Sequence, residues 1–346
     1  MKLEDSKKVL LSICIPSYNR PEQLEKLLLT VDCYPEQIEI VICEDAAPRR
    51  KEVRDVVDRF CRASKYNVVY SETPSNFGYD GNIRRLIEMA SGVFVLFMGD
   101  DDWFKAGELN KYLTFLQENS DVGYILRSYF SMHPDGSLEP FRYLPAQKRF
   151  PPGPETCAWL FKRSVSISGV TFKRESALRY ATNEFDGTLL YQLHLVLEIC
   201  LHEESVCSDI AVAITAQTYR DDKPQFGASI KEKGRYEPGT VTFDNSINFT
   251  KGFFEISRAF DKKHNLHISE LIRRDLSKYS YPFLSIQRKR GLVPFLSYSY
   301  RLARETKINA TWHYYLFTLT LAFFGEHFCD RVILLIKKRL GYTPGL

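Results

Sequence analysis

The first 130 residues alternate between two kinds of segment, and few folds accept that alternation. Apolar runs at 10–16 (LLSICIP), 38–45 (IEIVICED), 67–72 (NVVYSE), 92–100 (GVFVLFMGD) and 122–130 (VGYILRSYF) are short and rich in β-branched and aromatic residues. Turn residues bound them, which predicts strands. The longest runs lack polar alternation, as strands covered on both faces do. Between them, Leu24, Leu27, Leu28 and Val31 fall at i, i+3, i+4 and i+7, as do Val53, Val56, Val57 and Phe60, and then Ile83, Leu86, Ile87 and Ala90. Each set places one apolar stripe on a helix. Pro21 suits the first turn of the first helix. The pattern specifies an α/β chain with a Rossmann-like, mainly parallel sheet flanked by helices. Such sheets bind ligands at the carboxyl ends of their strands.

Beyond the alternation, 131–155 carries the Pro and Gly of a long turn or boundary. Residues 165–177 (VSISGVTFKRESA) read as a strand entering a helix, 187–200 as a buried helix and 211–220 as a last strand. The polar stretch 221–240 reads as a mobile loop, and the chain is helical from about 241 onward. The expected division is a nucleotide-sugar-binding and catalytic domain over 1–220 and a mostly helical region over 221–346.

Charge separates the same two parts. The net charge of +4 is too small for a nucleic-acid partner. From Tyr281 onward, however, ten Lys/Arg face three acids, a local +7 on a body that is otherwise mildly acidic. A basic, aromatic tail of this kind points to an anionic surface such as lipid headgroups. Residues 311–328 (TWHYYLFTLTLAFFGEHF) are apolar but shorter than the roughly 20 residues a membrane crossing needs. They suit a helix lying in the interface, a buried helix or a contact with a second copy. The eight cysteines show no CxxC pair, a reduced pattern that fits the cytoplasm, and MKLEDSKKVL has no signal-peptide core.

The chemistry resides in the acids. Asp100, Asp101 and Asp102 follow a buried strand directly. Adjacent anions repel, and burial protonates some of them unless a cation intervenes. Oxygen-only ligands select Mg²⁺ or Mn²⁺, which also bridge to phosphates. Glu44 and Asp45 end a second strand, where a carboxylate can accept hydrogen bonds from a base or ribose, or cap a helix. IPSYNRP ends the first strand with backbone groups free for a nucleotide.

Taken in order, IPSYNRP, ICEDAAP, NFGYDGNIRRLIEMASG and MGDDDW resemble glycosyltransferase family 2 with the GT-A fold, and within it the abequosyltransferase-like branch of bacterial O-antigen synthesis. The resemblance covers about residues 8–130. It implies that Pro16, Ser17, Tyr18, Arg20, Glu44 and Asp45 hold the nucleotide. It also implies that Asn76, Gly78 and Asn82 shape the diphosphate and sugar side, and that Asp100, Asp101 and Asp102 grip donor and metal. Glu-Asp-Ala-Ala stands where many members have Asp-Asp-Gly-Ser, which leaves the base open.

The reaction implied is inverting transfer of a sugar from a nucleoside diphosphate to a glycan hydroxyl. The acceptor would be carried on polyprenyl diphosphate at the inner face of the bacterial inner membrane. The family places its general base after the sheet domain, where TNEFDGT offers Asp186 and Glu184, with Asp186 favoured. His194 is a candidate third metal ligand, and Trp103 and Trp159 are candidate sugar-stacking surfaces. Two other readings compete. A sugar-nucleotide nucleotidyltransferase would need a Gly-rich phosphate loop, which IPSYNRP is not. A non-catalytic nucleotide-sugar-binding scaffold would not need Asp100 and Asp102.

Overall fold

The structure, a computed structural model, describes residues 9–133, 135–216 and 225–340. The expected boundary at 220 lies outside the described residues, as do 217–220 of the last expected strand.

Strands β1 (Leu11–Ser17), β2 (Ile38–Glu44), β3 (Asn67–Glu72) and β4 (Phe94–Phe97) are parallel and ordered β3-β2-β1-β4. Helices α1 (Pro21–Leu29), α2 (Arg50–Ala63) and α3 (Gly78–Met89) connect them. The period of two along each strand decides which face a side chain joins. Leu11, Ile13 and Ile15 pack with the stripes of α1 and α2 and with α4 (Glu108–Glu118), whereas Cys14, Val41 and Phe97 pack with α3 on the opposite face. Both faces are covered, which explains the unbroken apolar runs.

Beyond the parallel run β3-β2-β1-β4 the sheet becomes mixed. The order continues through β9 (Thr171–Lys173), β6 (Tyr124–Met132), β10 (Ser205–Ala216) and β5 (Trp103–Phe104). Here β9 runs antiparallel to both β4 and β6, while β6 and β10 are parallel. Segment 131–155 is no simple turn. It forms β7 (Leu138–Phe141) on β6 and β8 (Lys148–Phe150) on β10, and then enters α5 (Pro154–Phe161). Pro140 sits on the outlying strand β7 and Pro154 at the start of α5, where a missing N–H costs little.

The remaining helices are α6 (Arg174–Arg179), α7 (Tyr191–His202), α8 (Phe243–His264), α9 (Ile268–Lys278), α10 (Tyr281–Arg288), α11 (Leu292–Thr306) and α12 (Trp312–Leu340). Thr242 caps α8 by accepting the Asn245 N–H, and Asn265 ends that helix in the left-handed conformation. α7 is apolar all round because α5 and α8 pack against it and join the C-terminal helices to one core with the sheet. Gly325 interrupts α12 with non-helical angles, and no helix among the described residues is long and apolar enough to cross a membrane.

Candidate active site

β1 and β2 end level, with Ser17 opposite Glu44, while β4 ends at Phe97 opposite Cys14 and leads on into the Asp100–Asp102 turn. Above them opens a cleft of about 780 Å³, within the roughly 300–1,000 Å³ typical of ligand sites. Pro16, Ser17, Tyr18, Arg20, Asp45, Asn76, Gly78, Asn82, Asp100, Asp101 and Asp102 all line it. Of the residues expected to hold the donor, Glu44 alone does not.

The reason is local. Glu44 is fully buried and accepts the Ala46 and Ala47 N–H groups and Arg50 Nε at 3.2, 2.6 and 2.9 Å, so it organises the turn into α2. Asp45, one residue on, points the other way. It accepts the Phe77 and Gly78 N–H groups, both at 2.8 Å, and the Thr73 hydroxyl at 2.9 Å, pinning the start of α3 beside the cleft. Burial pushes its carboxyl up to about 6, against those hydrogen bonds, and the nearby Glu232 charge adds to the rise.

At the end of β4 the chain turns sharply. Asp100 accepts the Tyr18 N–H at 3.3 Å and Arg20 Nη1 at 3.1 Å, and the same Arg20 nitrogen lies 3.0 Å from Asp101. Burial nonetheless raises the Asp100 carboxyl to about 7, and Asp101 pushes it the same way. Asp102, 9% exposed, accepts the Ser168 hydroxyl, and Ser168 Oγ in turn accepts the Gly99 N–H. Ser17 Oγ and Asn82 Oδ1 are buried at the cleft without a hydrogen-bond partner among the described residues. Buried oxygens normally find partners, so both suit contact with a ligand.

These residues fit a hard divalent cation in chemistry, since Asp100 and Asp102 offer buried carboxylate oxygens and the Arg20 guanidinium is divided between Asp100 and Asp101. No three imidazole, thiolate or carboxylate groups among the described residues converge as a ready-made cage. A cation on Asp100 and Asp102 would take its other ligands from phosphate.

The expected base stands elsewhere. Asp186 makes a bidentate ion pair with Arg84 at 2.6 and 2.9 Å and does not line the cleft. α3 causes this. Asp80 and Arg84, one helical turn apart, hold 182–191 from two sides: buried Asp80 accepts the Gly187, Leu189 and Tyr191 N–H groups, and Arg84 reaches Asp186 and the Thr182 carbonyl. Glu184 and His194 line a separate cavity of about 490 Å³. His194 Nε2 bonds the Tyr180 carbonyl at 2.9 Å, its ring packs on Phe185 and Tyr191, and burial holds its pKa below the usual value. It sits among core aromatics and does not line the cleft of Asp100 and Asp102. Trp103 and Trp159 do not line the cleft either, and Trp159 stacks on Phe150.

Sequence reasoning missed the far side of the site. Residues 225–240, expected to be a mobile loop, are built into the wall. Glu232 is 2% exposed and accepts the Tyr79 N–H at 3.0 Å and the Gly227 N–H at 2.7 Å. Tyr236 donates its hydroxyl to the Thr188 carbonyl. Gly78, at φ +78°, admits this segment, because a Cβ there would lie 2.5 Å from Glu232 Oε1 and Ser229 Oγ. Arg127, Lys162, Arg163 and an aromatic surface from α8 to α10 complete the cleft. A lone arginine inside the apolar run YILRSYF was the available signal for Arg127. Glu232, in the charge-rich KEKGR, gave none.

The family model for glycosyl transferase family 2 matches residues 12–164. Residues 12–164 thus match a family 2 glycosyltransferase domain. The chain is 29% identical over 117 residues to the abequosyltransferase RfbV of Salmonella typhimurium, covering 33% of this chain and 34% of that one. It is 30% identical over 142 residues to the amylovoran biosynthesis glycosyltransferase AmsB of Erwinia amylovora, covering 38% and 45%. The chain thus spans between a third and a half of the length of these relatives. Among solved structures, S. aureus TarS 1-349 in complex with UDP-GlcNAc superposes with a TM-score of 0.56 at 14% identity, covering 96% of this chain and 92% of that one. A mannosyltransferase from Pyrobaculum calidifontis in complex with GDP-Man and Mn²⁺ gives 0.51 at 15%, covering 91% and 87%. These neighbours show the GT-A fold, here with a helical C-terminal region.

Proposed function

We propose that the chain is an inverting glycosyltransferase that moves a sugar from a nucleoside-diphosphate donor to a hydroxyl of a glycan acceptor in bacterial surface-polysaccharide assembly. The observation that carries this reading is convergence: three strand ends and the start of α3 deliver Tyr18, Asp45, Asn82, Asp100 and Asp102 to one cleft. Nucleotide-sugar complexes of fold neighbours and the polysaccharide roles named for the relatives support it. In this reading Pro16, Ser17, Tyr18 and Asp45 hold the nucleotide, while Asn76, Gly78 and Asn82 shape the side toward the diphosphate and sugar, and all of them line the cleft. Mg²⁺ or Mn²⁺ held by Asp100 and Asp102 would offset the charge left on the departing diphosphate. Arg20 holds Asp100 and Asp101 in place from below. The hydroxyl's proton needs a carboxylate within hydrogen-bond reach, and the carboxylates that line the cleft take precedence over Asp186 and Glu184.

Ligand linkage supplies the test. Thermal shifts with CDP, UDP, GDP and dTDP, with and without Mn²⁺, should show one nucleotide stabilising the protein more when the metal is present. No shift with any of them would end the proposal.

Attachment to a membrane surface belongs to the same reading, with a lipid-linked acceptor. Sixteen of the twenty exposed large hydrophobics among the described residues lie between Leu271 and Leu335, including Trp312, Leu319 and Phe323, on the part of the chain that carries the basic excess. Co-sedimentation with phosphatidylglycerol vesicles should fall in a Leu319→Glu/Phe323→Glu double variant. Equal sedimentation would favour a contact between copies.

A further inference from the structure

Beyond Asp102 the cleft changes sign. Asp102 accepts the Ser168 hydroxyl, and the Ser168 carbonyl accepts Nη1 of Arg127. One residue thus separates the last carboxylate of the donor side from a guanidinium on the opposite wall. Arg127 comes from β6, lines the cleft and is only 4% exposed. Its guanidinium lies 4.1 Å over the Tyr129 ring, on which Phe141 also stacks at 4.7 Å, so its place is fixed. Its Nε is buried without a hydrogen-bond partner, and among the described residues no carboxylate pairs with it. An arginine this deep is ordinarily paired. The aromatic face offsets part of the cost of burying its charge, and an arriving anion offsets the rest.

The surface beside it suits a sugar ring. Tyr129, Tyr143 and Tyr279 gather near Arg127 and line the same cleft. Tyr143 donates its hydroxyl to the Arg163 carbonyl at 3.0 Å, and Lys162 Nζ lies 4.9 Å over the Tyr279 ring, which stays 43% exposed. Ring faces edged by hydroxyls match the apolar and polar faces of a pyranose. Lys162 and Arg163 share the Asp275 carboxylate at 3.0 and 3.1 Å, whereas Arg127 has no such partner. One guanidinium in want of a counter-charge matches a ligand group of single negative charge, and its planar fork matches a carboxylate.

We propose that this wall recognises an acidic sugar: a uronate-type residue whose carboxylate pairs with Arg127 and whose ring lies against Tyr279. The nucleotide and metal of the donor reading occupy the strand ends on the other side of Ser168, so the acidic sugar is met at the transfer end of the cleft. It is the acceptor's terminal residue or the donor's own sugar, and the two sources are separable. The inference rests on the glycosyltransferase reading for why a sugar is there. The binding itself is measurable without any transfer.

Saturation-transfer NMR and titration of the full chain compare methyl glucuronide with methyl glucoside, each alone and with the nucleoside diphosphate that gives the largest thermal shift. The glucuronide should bind roughly tenfold more tightly, the size expected of one charge-assisted pair. Arg127→Gln should abolish the preference while glucoside binding and nucleotide affinity are kept. Tyr279→Ala, at an exposed position, should weaken both sugars alike. Simultaneous binding of glucuronide and nucleotide supports the site with the acid on the acceptor. Displacement of glucuronide by a nucleotide-linked glucuronate that outbinds its glucose counterpart supports it with the acid on the donor. Equal binding of glucuronide and glucoside, or binding of neither, overturns the proposal. So does displacement of glucuronide by an equal concentration of inorganic phosphate. A loss of affinity for the bare nucleoside diphosphate in Arg127→Gln would assign Arg127 to the donor diphosphate and overturn it too. Should no nucleotide bind while glucuronide is preferred, the glycosyltransferase reading fails and the acidic-sugar site stands. If Arg127→Gln does not fold, the wild-type preference and its competition by phosphate decide.

Discussion

Two acidic groups follow buried elements of this chain, and their surroundings separate them. Asp100 and Asp101 share one close guanidinium, Arg20, and burial lifts Asp100 to about 7. Asp186 has Arg84 to itself in a two-pronged pair, and its side chain is 8% exposed. Both groups looked equally catalytic as strings of residues. The first leaves negative charge for a ligand to neutralise. The second is neutralised already. What distinguishes a binding carboxylate from a structural one here is its charge balance, not its burial.

The largest effect that would sharpen this contrast is at Asp102. Asp102→Ala should lower kcat by roughly 10³, about 4 kcal/mol of transition-state stabilisation, and remove the Mn²⁺-dependent part of the nucleotide thermal shift. Circular dichroism should stay unchanged, since the Ser168 hydroxyl lies at the cleft edge of the fold and its loss of the Asp102 acceptor leaves the sheet pairing intact. Wild-type turnover would break the assignment. Next comes Arg84→Met, which leaves Asp186 buried and unpaired. The expected loss is about 3 kcal/mol of stability, the lower end for a broken buried pair because Arg84 is partly exposed. Asp186→Asn should keep measurable transfer. Its complete loss, with the fold and nucleotide affinity intact, would return Asp186 to catalysis.

The parallel half of the fold was legible because periodicity and turn chemistry are local, and β1 to β4 with α1 to α3 follow them closely. The antiparallel half was not. β9 is three residues long, and its place between β4 and β6 depends on pairing across long stretches of chain. The site divides the same way. Tyr18, Asp45, Asn82 and Asp100–Asp102 sit at strand and helix ends, and ends are visible in sequence. Glu44 and Asp45 are adjacent and chemically alike, and only the turn geometry sends one into a cap and the other to the cleft. The Arg84 partner of Asp186 could not be read from the sequence, because it lies 102 residues away. Glu232 and Arg127 reach the cleft from segments whose local pattern says nothing about a site.

The smallest effect concerns pH and tests the charge imbalance directly. Asp45 titrates near 6 in the folded protein, chiefly through burial, against 3.8 for the free group. Between about pH 4 and 6 the folded state therefore holds a proton that the unfolded chain has released. With more protons bound to the native state, stability must fall as pH rises through that window and level off above 6 for this group, by at most about 1.4 kcal/mol per pH unit. Had burial been outweighed by the Phe77, Gly78 and Thr73 hydrogen bonds, the slope would have the opposite sign. Urea unfolding of the ligand-free protein at half-unit pH steps, compared with Asp45→Asn, isolates the contribution as the difference in slope. Glu232→Gln removes a neighbouring negative charge, so it should move the end of the decline to lower pH. A difference slope that rises with pH would mean that Asp45 is fully compensated in the fold, like Asp186, and would remove the nucleoside side of the cleft from the comparison.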